Sequence, residues 1–292
     1  MIHLFAKHFL LTAGRLLVLC VAIFLILRSA ETYYDRDLSF VEFIQAVFSG
    51  RLVRAPGLTG LPTLTTAFLY SMTTLLISLV LSYGFGGPLG ILLGRYRMGW
   101  LQVLGHIVIS VALAIPAFLV AYAVLYVSIS DWGIFVGGES ALVAGSSPRA
   151  FAGQCLLLAV PLSLPGIGLI ARQVSQTVFN AFPEGSLRAF RSLGITQRAL
   201  FDTVIASAIW APLLRALPFL LSLYLSVLIV TETAFFIPGF GYSIFKAAKE
   251  SDLQSLAVLS LWSSTALLLA NSFVDAMVEW LDSRTPSLAD TK

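Results

Sequence analysis

The sequence predicts an all-α integral membrane protein with six transmembrane helices and one long loop between the fourth and the fifth. Three observations predict it. Of the 292 residues, 58% are hydrophobic and only 11% are charged, against about 25% charged in an ordinary soluble domain; mean hydropathy is +0.91. The apolar residues come in runs long enough to cross hydrocarbon. The few charges fall between those runs, so the net +3 forms no basic stripe: the lipid bilayer is the expected surrounding, and no nucleic-acid partner is expected.

A helix crossing about 30 Å of hydrocarbon needs about 20 residues, and the crossing must be helical because lipid offers the backbone no hydrogen-bond partner. Six stretches meet this test: 9–27, 67–94, 101–128, 151–171, 209–231 and 253–277. Lys7 ahead of the first run suggests a signal peptide, but Arg28, Glu31 and two tyrosines follow it in place of a small-x-small cleavage site, so a retained span is expected. Six spans put both termini on one side. Eleven of the 18 Lys and Arg residues fall on that side, which predicts cytoplasmic termini. Cys20 and Cys155 both sit inside apolar runs and read as packing residues, not as a disulfide.

Residues 1–292 thus read as a single transmembrane domain, with 67–280 as a five-helix core. The outer segment 28–66 contains Ser39 to Phe48, where Phe40, Phe43, Ile44 and Val47 recur at helical spacing, as in a helix lying on the membrane surface. Residues 172–208 form the one long cytoplasmic loop. Residues 232–252 form an outer loop whose start is too apolar for an ordinary solvent loop, and a re-entrant course is one reading.

Catalytic chemistry has no carrier here. None of the four lysines follows a glycine, which excludes a phosphate-binding loop ending in Gly-Lys. The three histidines are far apart and form no His-Glu-x-x-His pair, and no Gly-x-Ser-x-Gly elbow occurs. The chain is expected to be no enzyme and to bind no metal, with His106 a packing residue. Charges within the spans are scarce: Arg15 and Arg215 can reach an interface, and Asp275 lies near the inner end of the last span. This scarcity weighs against a proton-coupled carrier.

Within the long loop, Pro183 and Glu184 open a helical stretch to Phe190, with a proline in the first turn and an acid at the positive helix end. Arg188 and Arg191 share a face. Gly194 interrupts the helix, and Thr196 to Arg198 can cap a second stretch reaching Trp210. A basic loop that merely fixes topology is the simpler reading of the same residues.

The run from Arg188 to Thr196, with Pro212 eighteen residues after Gly194, resembles the cytoplasmic coupling helix of the permease subunits of ABC importers for peptides and nickel, specifically the first permease of oligopeptide and dipeptide systems. Ser71 to Leu75, Gly87 to Gly90, Ala114 to Phe118 and the run Thr231 to Gly241 are similar to further motifs of that family, and Asn271, Asp275, Asp282 and Arg284 stand where its closing motif would be. The resemblance implies a type I ABC importer transmembrane domain in a bacterial cytoplasmic membrane, forming half of a translocation pathway. The implied partners are a second homologous permease, two ABC ATPase subunits or domains, and an external substrate-binding protein. The chain would hold no cofactor, ATP and Mg being bound by the ATPase partners.

On this resemblance, residues 183–200 are the coupling helix, with Glu184, Arg188, Ala189, Arg191, Gly194 and Ile195 meeting the ATPase. The 232–252 loop is assigned to docking or gating through Glu232, Phe235, Phe236, Pro238, Gly239, Phe240 and Gly241, with Phe235, Phe236 and Phe240 as an apolar seal; an interfacial aromatic anchor is the competing reading. Gly86, Gly90 and Gly94 form a small-xxx-small face, packing either within the chain or on a partner. Different in class are an ATPase-independent secondary carrier or channel, and a scaffold subunit.

Overall fold

The computed structural model describes residues 2–29, 39–49, 61–95, 99–130, 148–181 and 197–282. Among them lie helices α1 (Ile2–Ser29), α2 (Phe40–Phe48), α3 (Leu61–Arg95), α4 (Trp100–Ala114), α5 (Ala117–Ser130), α6 (Pro148–Ala181), α7 (Gln197–Ala234), α8 (Phe240–Lys249) and α9 (Leu253–Asp282), and no strand. Five of these, α1, α3, α6, α7 and α9, hold apolar stretches long enough to cross a membrane.

The expected span 101–128, in which Pro116 allows a kink, is two helices, α4 and α5, meeting at 89°. Pro116 is the cause. It has no N–H and forces the residue before it out of the helical region, and Ile115 is accordingly extended at φ −70° and ψ 122°. The helix restarts when the Leu119 amide donates to the Pro116 carbonyl at 3.0 Å. Pro88, Pro161, Pro165, Pro212 and Pro218 lie inside continuous helices. Just past the interrupted bond at Pro212, side chains of two other helices reach the backbone: Gln173 donates to the Pro212 carbonyl at 3.0 Å and Tyr83 to that of Leu213 at 2.8 Å.

The closest helix pair is α3 with α6. A Cβ on Gly86 would lie 2.8 Å from the Ile167 carbonyl oxygen, one on Gly90 2.6 Å from that of Ala171, and one on Gly94 2.7 Å from Val178 Cβ. The contacted residues advance along α6 as the glycines advance along α3, so the two helices run parallel. Ser82 extends the seam by donating to the Ser163 carbonyl at 3.1 Å. The three glycines therefore admit α6 of the same chain, where serines and close backbones replace the hydrophobic effect as the source of association.

Helix α1 packs on α9, with His8 Nε2 2.7 Å from the Glu279 carboxylate. The surface helix expected in the outer segment is α2, opened by a reciprocal cap in which Ser39 and Glu42 bond each other's backbone amides. It is docked rather than afloat: Phe43 and Val47 are buried, Phe24 of α1 meets the Phe40 and Phe43 rings at 5.4 Å, and the Trp262 indole of α9 donates to the Val47 carbonyl at 3.3 Å.

Candidate functional site

The segment expected to be the outer loop opens as a tight turn between α7 and α8, built on one carboxyl group. Glu232, in the last turn of α7, is fully buried. Its Oε1 accepts the Ser71 hydroxyl of α3 at 2.5 Å and its Oε2 accepts the Tyr242 amide at 2.9 Å. Ser71 Oγ in turn accepts the Phe240 amide at 2.8 Å.

Of the first three amides of α8, which no helical carbonyl can reach, those of Phe240 and Tyr242 are thus satisfied. Gly239 at the cap position has no side chain to do this. An acid seven residues upstream of the cap and a serine on another helix supply the acceptors, at the end of α8 where the helix dipole favours an acceptor oxygen. The glycines follow from this arrangement. A Cβ on Gly239 would strike the Glu232 carboxyl, and one on Gly241 would lie 2.9 Å from the Ile229 backbone and 3.1 Å from Glu232 Oε2.

Helix α7 stops in a Schellman turn. The Ile237 amide donates to the Glu232 carbonyl at 3.0 Å and the Phe236 amide to that of Thr233 at 3.3 Å, with Phe236 left-handed at φ 51°. The three aromatics then part company. Phe235 is buried beside Tyr70, Ala121 and Leu158, and Phe240 is buried with its ring 6.0 Å from Phe68, while Phe236 is 65% exposed. Pro238 is half-buried between them. Helix α8 ends in a second turn of the same kind, centred on Ser251 at φ 57°, and Asp252 caps α9 through the Ser255 amide at 3.1 Å.

A second polar node sits deeper among the helices. Ser82 of α3 donates its one hydroxyl proton to the Ser163 carbonyl, so the Tyr224 hydroxyl, 2.5 Å away on α7, donates to Ser82. Gly166 of α6 makes room for it, because a Cβ there would strike the Tyr224 hydroxyl. Sequence reasoning assigned no role to Ser71, Ser82, Tyr224 or Asp252. The available signal was a series of serines, at 71, 78 and 82, within an otherwise apolar run.

His106 lies on an exposed face of α4, not in a packed interior; with Gln102 and Ser110 it lines an open groove of about 550 Å³. A smaller groove of about 280 Å³ between α7, α8 and α9 carries Ser222, Ser226 and Ser263. Among the described residues no cluster of His, Cys, Asp or Glu could hold a metal ion. Glu184, Arg188, Ala189, Arg191, Gly194 and Ile195 lie outside the described residues, between the end of α6 and the start of α7.

Residues 86–286 match the family described as binding-protein-dependent transport system inner membrane component. The chain is 26% identical over 268 residues to the probable D,D-dipeptide transport system permease protein DdpB of Escherichia coli K12, covering 84% of this chain and 78% of that protein. It is 23% identical over 224 residues to the nickel import system permease protein NikB of Staphylococcus aureus USA300, covering 76% of this chain and 64% of the relative's length. Its fold is similar to a chain in an inward-facing structure of the MetNI methionine ABC transporter, with a TM-score of 0.56 at 16% identity, over 75% of this chain and 95% of that one. With the matched segment running from the glycine face of α3 to the end of α9, the chain belongs to the binding-protein-dependent inner-membrane transport components and is a multi-pass ABC-importer permease, a transport subunit and not an enzyme.

Proposed function

We propose that this chain forms one half of the pathway of an ATP-driven importer for peptides or a related small solute such as a nickel chelate. The other half is a second homologous permease, the motor is two ABC ATPase subunits or domains, and an external binding protein delivers the solute. The observation that carries this reading is the family match over 86–286, joined to relatives named for dipeptide and nickel transport. ATP and Mg belong to the motor.

In this reading the element from Glu184 to Ala199 docks on the ATPase, with Arg188 and Arg191 on its surface and Gly194 setting its angle. Helix α7 then links the two working ends. It starts at Gln197 beside that element and runs for 38 residues to Ala234, about 57 Å at helical rise, ending in the turn held by Glu232. Movement of the coupling element is relayed along this rod to the outer turn, which docks or gates.

The test uses the intact complex in membranes. Gly194→Trp is expected to abolish uptake while the chain inserts and the partners co-purify. Undiminished transport refutes the coupling assignment. ATPase-independent uptake of dialanine or nickel by this chain reconstituted alone would establish a carrier or channel instead.

A further inference from the structure

Midway along α3 the exposed side chains, Leu76, Val80 and Phe85, are apolar, as contact with hydrocarbon requires. Helix α7 differs. Ser222, at the middle of its 26-residue span Ile209–Ala234, and Ser226 one turn further on both expose a hydroxyl. Opposite them Ser263 of α9 faces the same groove of about 280 Å³, close to the roughly 300 Å³ at which small-molecule sites begin.

All three hydroxyl protons bond back to the serines' own helices. Ser222 donates to the Pro218 carbonyl at 3.0 Å, Ser226 to that of Ser222 at 3.1 Å and Ser263 to that of Ser260 at 2.9 Å. A hydroxyl has one proton and two acceptor sites, so toward the groove these serines can only accept. Lipid chains carry no donor, and the backbone amides of a neighbouring membrane helix are already bonded to its own carbonyls. Water and a solute bearing N–H groups supply what is missing. Beside the serines the walls are apolar, Ile229, Ile244 and Leu267, and no ionisable side chain lines the groove. One end is closed by Phe240 and Gly241, in the first turn of α8. That turn is tied down by Ser71 and Glu232, so the groove has a fixed shape.

We infer that this groove is a contact site for the solute in transit, where the Ser222, Ser226 and Ser263 oxygens accept hydrogen bonds from the solute's N–H groups while Ile244 and Leu267 hold its apolar part. This rests on the proposed import function and narrows it. A peptide carries donors on its amino terminus and its amides, together with apolar side chains. A metal chelate with carboxylate oxygens on its outside brings acceptors to acceptors and meets no counter-charge, so the groove serves peptides.

The test is made on the whole complex in proteoliposomes, with Cys20 and Cys155 replaced by alanine. Ser222→Cys, Ser226→Cys and Ser263→Cys are expected to react with a charged methanethiosulfonate, which reaches a thiol only through water. Dialanine, supplied with ATP and the binding protein, should slow that reaction several-fold. Val80→Cys, on the apolar face of α3, should stay unreactive. Ser222→Ala combined with Ser226→Ala is expected to import about tenfold less dialanine per ATP hydrolysed, through two lost hydrogen bonds. Threonine at both positions keeps the hydroxyls and should restore uptake. Unreactive cysteines place lipid or a protein partner on the groove and overturn the inference. So do reactive cysteines that dialanine does not protect, or a double alanine variant within twofold of wild type. If no ATPase co-purifies with the wild-type chain, the importer reading fails; if it does and the cysteines fail these tests, only the groove assignment falls.

Discussion

Replacing Glu232 by alanine removes the acceptor for two donors at once, and the structure says which of them suffers. The Ser71 hydroxyl can rotate toward another acceptor. The Tyr242 amide cannot, because it is fixed in the first turn of α8 and the site is fully buried. A buried amide left without its acceptor costs the turn about 1–3 kcal/mol. At about 1.4 kcal/mol per factor of ten, even the lower figure raises local opening by about 5-fold. Glu232→Gln keeps one carbonyl oxygen for the amide and turns its NH2 toward Ser71 Oγ, which confines the loss to less than about 1 kcal/mol. Hydrogen exchange at peptide resolution in lipid nanodiscs reads this directly across Phe240 to Tyr242, with the middle of α9 as internal reference. The expected order of exchange is wild type slowest, then glutamine, then alanine. Exchange in Glu232→Ala within about twofold of wild type, or a glutamine variant as fast as alanine, refutes the anion-cap reasoning.

Two further outcomes follow from the helix seam and from the outer helix. Gly90→Val places a side chain where its Cβ would already be 2.6 Å from the Ala171 carbonyl and 2.7 Å from Val174 Cβ, so it should destabilise by about 1–3 kcal/mol through overpacking; Gly87→Ala, with nothing within 4 Å, should melt no lower than wild type, and equal melting of the two variants counts against the α3–α6 seam. The Glu42 carboxyl is held below its ordinary value of 4.5 by the Ser39 amide and then the Ser39 hydroxyl. A depressed folded value means that its contribution is fully present above 4.5 and is lost as the pH falls through the lower folded value. Emission from a variant retaining Trp262 as its sole tryptophan reports α2 docking through the Val47 carbonyl; acid should release it, Glu42→Gln should flatten the profile, and an unchanged profile in that variant removes Glu42 from the cap.

The long spans were legible because lipid leaves the backbone one solution, and hydrophobic length alone reveals it. The break at Pro116 was not: each of the six prolines within the spans, Pro88, Pro116, Pro161, Pro165, Pro212 and Pro218, allows a kink, and nothing local separates the one that snaps a helix from the five that lie inside continuous helices. At the outer turn the residues of the motif were visible but not their division of labour. Phe235, Phe236 and Phe240 are chemically identical, and only the Schellman geometry sends one outward and two inward. Ser71 could not be linked to Glu232 from the sequence, since 161 residues separate them and a lone serine in an apolar run has many possible partners.

The placement of polar nodes along α7 bears on how freely this helix can move against its neighbours. A helix in lipid slides and rotates against apolar neighbours at little cost, because one methyl surface serves as well as another. Hydrogen bonds remove that freedom, since each has one geometry and its loss leaves a buried polar group unmatched. Helix α7 is pinned through Pro212 and Leu213 near its middle, through Tyr224 in its last third and through Glu232 in its last turn, each time to α3 or α6. Those two helices are locked together by the glycine seam. The helices α3, α6 and α7 therefore form one hydrogen-bonded body. The α4–α5 pair packs on it, with Ile109 beside Leu93 and Ala171 and Ala121 beside Leu158 and Phe235, and the α1–α2–α9 group shares its aromatic core with Phe68 of α3 and Phe240 of α8, so displacement of that body has to repack both groups.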